Sequence, residues 1–406
     1  MRYTLEKANE VVTLSVSSDA VLACPRNSGR LGNVPAFINV LRPRLPSASE
    51  LLPYLESIDQ ARWYSNDGPL VRCLEKELRR HFALSESGAV VATANCTLGL
   101  TAVLLARGVP AGSLCLMPSW TFAATPHAAR AAGLTPFFHD VDPDTWALDP
   151  DMVRATLART SARMGAILVV SPFGAPVDPK PWEELEDDTG VPVVLDAAAG
   201  FDTVQPSSIP SVVSLHATKV LGAGEGGFII TADSRLRERL AACCNFGFTF
   251  SREAVLPALN AKMSEYHAAV ALASLAAWPE NRLSHVGVAA SYRRALVSTG
   301  ISLQSGEDWA SSTTNVVLPR AARGRIAERL LESGIETRAW WGDGCHVQAA
   351  FEDCPRLPLP VTEDLGRRVL GLPHFVDMRE DQVDTVVDGL VEALRSDSIH
   401  RLCLSL

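Results

Sequence analysis

Between residues 90 and 195, short apolar runs alternate with amphipathic stretches of helical length. This alternation constrains the fold more than any other feature of the chain. Strands are expected at residues 90–94, 113–117, 136–141, 166–170 and 191–195, and helices at 97–107, 122–132, 150–159 and 181–189. Asp149 followed by Pro150 marks one helix start, with a capping side chain and then a residue already fixed at a helical φ. A strand followed each time by a helix returns the chain to the same sheet edge in the same direction. The expected fold class is therefore α/β, a mostly parallel sheet with helices on both faces. In such sheets ligands bind beyond the carboxyl ends of the strands.

The flanks are less regular. Residues 51–61 and 70–82 carry helical spacing, with Leu74, Leu78 and Phe82 on one stripe, and a turn at 65–69 separates them. After the alternation come a helix at 236–244, a loop at 245–256 and an alanine-rich helix at 262–275. Beyond residue 278 the character changes. A helix at 286–298, a strand at 314–318, a helix at 325–333 and a segment at 335–338 precede a loop rich in Trp, Gly and Pro, then a last helix at 382–394. A chain of 406 residues exceeds the usual size of one core. The expected division is an N-terminal extension (1–34, without clear period and with a loop at 26–33), a large domain (35–278) and a smaller C-terminal α+β domain (279–406).

Composition removes several classes. No apolar run reaches the length of a membrane span, and the first 20 residues lack the basic and apolar regions of a secretory signal. Nine scattered cysteines without C-x-x-C spacing suggest reduced thiols, a cytoplasmic location and no metal site. A formal net charge of −9 argues against general nucleic-acid binding.

Residues 211–231, SVVSLHATKVLGAGEGGFIIT, place one lysine, Lys219, between an apolar run and a glycine-rich turn. Gly222, Gly224 and Gly227 spell G-x-G-x-x-G, but that dinucleotide fingerprint requires a following helix. Here the turn runs into an apolar segment, Phe228 to Thr231, that reads as another strand, so the fingerprint is rejected. Lys219 taken alone is a solvated charge or an amine poised for a carbonyl. The other strand tips add context. Asn95-Cys96-Thr97-Leu98 turns directly into a helix, which is a plain cap or an anion site for a phosphate. Trp120-Thr121-Phe122 offers an aromatic that packs in the core or covers a planar ring. Asp196 ends an apolar strand and serves as a turn residue or pairs with a pyridinium nitrogen. Lys219 follows it by 23 residues. Phosphate cup, ring cover, ring carboxylate and amine, in order along successive strand tips, are the groups that pyridoxal phosphate needs.

With these residues in view, the chain resembles the DegT/StrS-type sugar aminotransferases, pyridoxal-phosphate enzymes of fold type I, over residues 34–394. The stretches SLHATKVLGAGEGGFIIT (214–231) and NAKMSEYHAAVALASL (260–275) carry the resemblance, supported by PSWTFAAT (118–125), FFHDVDPDT (137–145), SPFGAPVD (171–178) and VLDAAAG (194–200). The resemblance implies Lys219 as the Schiff-base lysine and proton shuttle, and Asp196 as partner of the ring nitrogen. It implies Cys96, Thr97, the Leu98 amide and Ser214 around the phosphate, and Phe122 stacked on the ring. Asn260 would reach a phosphate in the neighbouring subunit, which implies a homodimer with composite sites. Arg338, Trp341 and His346 fall in TRAWWGDGCH, similar to the family's segment at the site mouth, and are the candidate substrate residues. Arg338 meets a diphosphate or donor carboxylate, or packs on Trp340 or Trp341.

Three positions depart from the family pattern. Ala199 stands where Gln or His is usual, Lys262 where Arg is usual, and Cys96 where Gly or Ala is usual. None removes a catalytic group. The implied reaction is a ping-pong transfer from an amino acid, by resemblance glutamate, to a nucleotide-linked 4-keto-6-deoxy sugar, with a subgroup likeness to enzymes acting at C4. A cyclitol or other non-nucleotide ketone as acceptor, and a non-catalytic cofactor- or sugar-binding regulator, stay open on sequence.

Overall fold

The computed structural model describes residues 2–7, 10–15, 37–160, 162–304 and 309–404. Contacts divide the chain into two units, Met1–Phe37 and Ile38–Leu406. The first contains an antiparallel hairpin of β1 (Arg2–Lys7) and β2 (Glu10–Ser15), where no regular element was expected. The loop expected at 26–33 lies outside the described residues.

The second unit is built on a seven-stranded sheet. Its strands are β3 (Ala89–Thr93), β4 (Leu114–Pro118), β5 (Thr135–His139), β6 (Met164–Val170), β7 (Val193–Asp196), β8 (Ser211–Ser214) and β9 (Gly227–Thr231). Their spatial order is β3-β9-β8-β7-β6-β4-β5. The five strands from β4 to β8 run parallel, joined by crossovers as the alternation requires. β9 is antiparallel to both neighbours, because the glycine turn after Lys219 reverses the chain beside β8.

Side chains along these strands alternate between two cores. Val90, Leu116, Ile167, Val193 and Val213 enter one, and Val91, Met117, Leu168, Val194 and Val212 the other. Period-two burial with both faces apolar is what a sheet sandwiched between helices demands. The first core is covered by α1 (Ala48–Ala61), α2 (Pro69–His81), α5 (Pro150–Arg159), α6 (Lys180–Thr189) and α8 (Glu265–Ala276). The second is covered by α3 (Cys96–Ala106), α4 (Ala124–Ala131) and α7 (Arg237–Cys244).

α8 starts three residues later than the sequence suggests. Ser264 caps it by accepting from the His267 amide (3.2 Å). The preceding residues are extended instead, and Ala261 O accepts from Ala94 N (2.7 Å) along the free edge of β3. α9 (Trp278–Leu296) begins earlier than expected, one residue after α8, with Pro279 in its first turn. A separate antiparallel sheet, β10 (Ser302–Leu303), β11 (Thr314–Val317) and β12 (Val369–Leu372), packs with α9, α10 (Arg323–Glu332) and α12 (Glu380–Leu404) in a third core. Ile38 joins this core.

The stretch expected to be a loop after residue 338 holds α11 (Pro360–Arg368) as well as β12. The sequence conceals α11 because its cap comes from elsewhere. Asp140 accepts from the Val361 and Thr362 amides (2.8 Å each) and from Thr362 Oγ1 (2.7 Å), while the N-cap residue Leu359 supplies no side-chain bond. The same device starts α2. Gly68 has no capping side chain, and the buried Glu265 accepts from Leu70 N (2.7 Å) and Val71 N (3.0 Å). A Cβ at Gly68 would lie 2.6 Å from the Glu265 carboxyl carbon, so glycine is needed there for space.

Candidate active site

A cavity of about 470 Å³ opens at the carboxyl ends of the parallel strands. Its lining comes from the segments following β3, β4, β6, β7 and β8, together with Arg338, Trp340 and Trp341. The sheet brings Cys96, Thr97, Phe122, Asp196, Ser214 and Lys219 to this one space.

Asp196 ends β7 and is 4 % exposed. Its Oδ2 accepts from Thr125 Oγ1 (2.7 Å) and its Oδ1 from Ala198 N (3.2 Å). Burial raises its pKa above the ordinary carboxylate value, opposed first by the Thr125 bond, then by Ala198 and the Lys219 charge. Lys219 sits in the turn after β8, and the surface it retains faces into the cavity, where protein surrounds it. Its pKa is lowered by that desolvation, against the smaller opposing effects of Cys96 and Asp196. Burial thus drives both groups toward neutrality, which favours a lysine amine that can attack a carbonyl. A cationic ring nitrogen against Asp196 would return the carboxylate to its charged form.

Cys96 is the first residue of α3 and is buried, with Sγ 3.7 Å from Val212 O. Desolvation raises the thiol pKa well above its ordinary value, so it stays protonated. The amide of Leu98, expected to hold a phosphate, donates instead to Asn95 Oδ1 (2.9 Å). Asn95 is the N-cap of α3, and its side chain satisfies that orphan donor. Thr97 at the same helix end lines the cavity, as does Ser214, whose Oγ accepts from His216 N (3.2 Å).

The other wall is aromatic. Phe173 stacks on Trp341 (centroids 4.0 Å apart, 16° between planes), and Trp120 meets Trp341 edge-on at 5.4 Å. Phe122 is exposed at the cavity wall. Arg338 lines the cavity, lies over the Trp340 ring (5.2 Å), as its packing reading expected, and pairs with Glu336 (3.0 Å). Gly371 makes room for this arrangement, because a Cβ there would come within 2.2 Å of Trp340 Nε1.

Two residues expected at this site, Leu98 and His346, are not part of the cavity lining. His346 is buried beside β4, its Nδ1 2.7 Å from Ser119 Oγ, and is not part of the lining. Its place is a clamp between loops, because the Cys345 amide also bonds Ser119 O (2.8 Å). Asn260, expected at the site of a neighbouring subunit rather than at this one, lies outside the cavity, its Oδ1 accepting from Lys262 Nζ (2.6 Å), and that ammonium sits 4.3 Å from the Phe246 ring centre. Sequence reasoning missed Thr121, Thr125 and His216. Thr121 and His216 line the cavity, and Thr125 holds Asp196. Each stands within three residues of a residue that was singled out, which was the available signal.

The model of the DegT/DnrJ/EryC1/StrS aminotransferase family matches residues 47–391. The chain belongs to this family. It is 32 % identical over 374 residues to protein Rv3402c of Mycobacterium tuberculosis (strain H37Rv), covering 88 % of this chain and 90 % of that one. Among solved structures, a protein of Bacillus cereus ATCC 10987 assigned as a PLP-dependent aminotransferase superposes with a TM-score of 0.83 at 31 % identity, over 87 % of this chain and 99 % of its own. DesI, solved in the presence of its TDP-sugar product, superposes with a TM-score of 0.80 at 35 % identity, over 90 % and 95 %. The fold is that of the PLP-dependent aminotransferases, and the protein is one of these enzymes, using pyridoxal phosphate. The cavity fits that group, because an amine, a buried carboxylate and the N-terminus of α3 all line one space. No helix among the described residues is long and apolar enough to cross a membrane.

Proposed function

We propose that the enzyme transfers an amino group from L-glutamate to the keto group of a nucleotide-linked 4-keto-6-deoxy sugar. The observation that carries this reading is the convergence of Lys219 and Asp196 on a cavity whose far wall is aromatic and ends at Arg338. DesI, which shares 35 % identity with the chain, has a TDP-sugar as its product, and this supports the acceptor class. Bound in the cavity, pyridoxal phosphate supplies an aldehyde that carries the nitrogen and a ring that takes up electrons.

The chain's own residues do the rest. Lys219 Nζ removes the proton from the donor's Cα and returns it at the carbon that has received the nitrogen. Asp196 holds the ring nitrogen protonated. Cys96, Thr97 and Ser214 line the phosphate end, and Phe122 covers the ring. Trp341 and the Arg338 guanidinium receive the acceptor, its diphosphate pairing with the arginine fork. Residues 35–278 form the cofactor-binding domain and 279–406 the smaller one. Asn260 completes the site of a second copy in a homodimer, and Leu98 supports the phosphate turn through its bond to Asn95 rather than by direct contact.

The test is spectroscopic. The holoenzyme should absorb near ~420 nm and shift to ~330 nm on adding glutamate, as the cofactor's conjugated imine is lost. A nucleotide-linked 4-keto-6-deoxy sugar should restore the first band, whereas a cyclitol ketone should not. In Lys219→Ala the glutamate-driven shift should slow by about 10²- to 10⁴-fold, the usual contribution of a positioned acid–base group. Restoration by the cyclitol ketone alone would overturn the acceptor, and an unslowed shift in Lys219→Ala would overturn the role of the lysine.

A further inference from the structure

Two threonines next to the cavity form a hydrogen-bonded pair that ends on Asp196. Thr125 Oγ1 donates to Asp196 Oδ2 (2.7 Å), and Thr121 Oγ1 lies 2.7 Å from Thr125 Oγ1. Thr125 is 0 % and Thr121 1 % exposed, so water cannot substitute for these partners. The proton directions follow from valence. An ionised carboxylate only accepts, and a hydroxyl has one proton to give. Thr125 therefore spends its proton on Asp196, and Thr121 must donate to Thr125. The bonds point one way, toward the carboxylate, and each polarises the next.

The backbone fixes this pair. Thr121 N donates to Ser119 O (3.0 Å), and Thr121 O accepts from Cys345 Sγ (3.2 Å). Ser119 is in turn held by the Cys345 amide (2.8 Å) and by His346, through its amide (3.1 Å) and Nδ1 (2.7 Å). Thr125 opens α4, where its amide donates to Phe122 O (3.1 Å). Both hydroxyls are thus aimed by elements that do not depend on a ligand.

We infer that Thr121 and Thr125 are positioning residues that keep Asp196 ionised and oriented toward the ring nitrogen of the cofactor. The inference rests on the reading of Asp196 given above. With Thr125 on Oδ2 and Ala198 N on Oδ1, both oxygens are held while lone pairs remain for a cation in the cavity. Desolvation works against the charge on this carboxylate, and the threonine bond is the largest of the effects opposing it. Neither threonine touches the reacting atoms.

The experiment measures the affinity of the apoenzyme for pyridoxal phosphate by fluorescence titration between pH 6 and 9. The variants are Thr125→Val, Thr125→Ser, Thr121→Val and Asp196→Asn. Valine keeps the shape of threonine and removes the hydroxyl. Loss of one hydrogen bond to a buried charge should weaken binding about tenfold or more in Thr125→Val, with the loss growing as the pH falls. Thr125→Ser should stay within about twofold, because it keeps the bond. Thr121→Val should lose about threefold, acting only through Thr125. Wild-type affinity in Thr125→Val at every pH would overturn the inference while leaving Asp196 in its role. Wild-type affinity in Asp196→Asn would overturn the role of the carboxylate and the threonine pair with it. If Thr125→Val does not fold, the Thr121→Val and Thr125→Ser pair decides, and equal affinity in those two would refute the relay.

Discussion

Glu75 offers a sharp test of how α2 packs on β3. It lies on the face of α2 that meets β3, where its Oε1 accepts from Ala92 N (2.8 Å). Desolvation raises its pKa from the ordinary 4.5 to about 7, opposed by the Ala92 bond and by Arg237 and Arg72, and aided by Asp67. Cys244 also faces this carboxyl and stays protonated, its own pKa pushed up to about 12. A folded pKa above the unfolded one means that the native state binds more protons between the two values. Stability from Glu75 is therefore whole below about pH 4.5 and lost as the pH rises through about 7. At about 1.4 kcal/mol per pH unit, the 2.5-unit difference amounts to about 3 kcal/mol. Gln at this position stays neutral and keeps an oxygen for Ala92, so Glu75→Gln should recover that amount at alkaline pH. With an unfolding entropy of about 2.1 cal/mol/K per residue over 406 residues, the gain is about 4 °C in Tm. The assay is differential scanning fluorimetry of both holoproteins at pH 5 and 8.5, with the curves close together at pH 5 and Glu75→Gln melting higher at 8.5. Equal Tm values at pH 8.5, or a lower one for Glu75→Gln, would refute the burial argument.

Two further outcomes follow from buried polar groups. Glu265→Ala leaves two amides of α2 without an acceptor and should cost about 2–4 kcal/mol, read from denaturant unfolding; a loss under about 0.5 kcal/mol would show that water replaces the carboxylate. His285 and His374 are stacked and buried, with Nδ1 of the first 3.2 Å from Nε2 of the second. Desolvation lowers His285 to about 4 and holds His374 well below its ordinary value, so the unfolded chain takes up their protons first as the pH falls below about 6.5. Their contribution is whole above that value and should be lost toward pH 4 at about 1.4 kcal/mol per pH unit for each proton, a slope that His285→Phe should reduce in pH-dependent melting.

Much of this enzyme is legible in one dimension. The alternation of apolar and amphipathic runs sets a parallel sheet, because a strand followed by a helix has one economical way back to the sheet. The strand tips then name Thr97, Phe122, Asp196 and Lys219, since the carboxyl ends of parallel strands face the ligand side, and the family resemblance adds Ser214. The glycine turn followed by an apolar run rejects the dinucleotide fingerprint and reads as a turn into another strand, which is β9. Local chemistry was enough for each of these, because the signal lies within a few residues of its effect.

What the sequence left open depends on residues far apart in the chain. α11 was hidden because its cap, Asp140, is 221 residues away from Val361, and no local pattern announces such a cap. The Leu98 amide, expected at a phosphate, donates to the N-cap side chain of Asn95 (2.9 Å), a bond that depends on how that side chain is turned. His346 stood in a promising motif, yet packing places it on Ser119 rather than in the cavity. The ionisation of Asp196, Lys219 and Glu75 depends on which atoms surround them, and desolvation is a sum over neighbours that only the folded chain assembles. The sequence by itself determined the reaction family and the order of the groups along the sheet. The tertiary structure alone decided which of those groups share a cavity, which are capped or clamped, and in which direction burial shifts their ionisation.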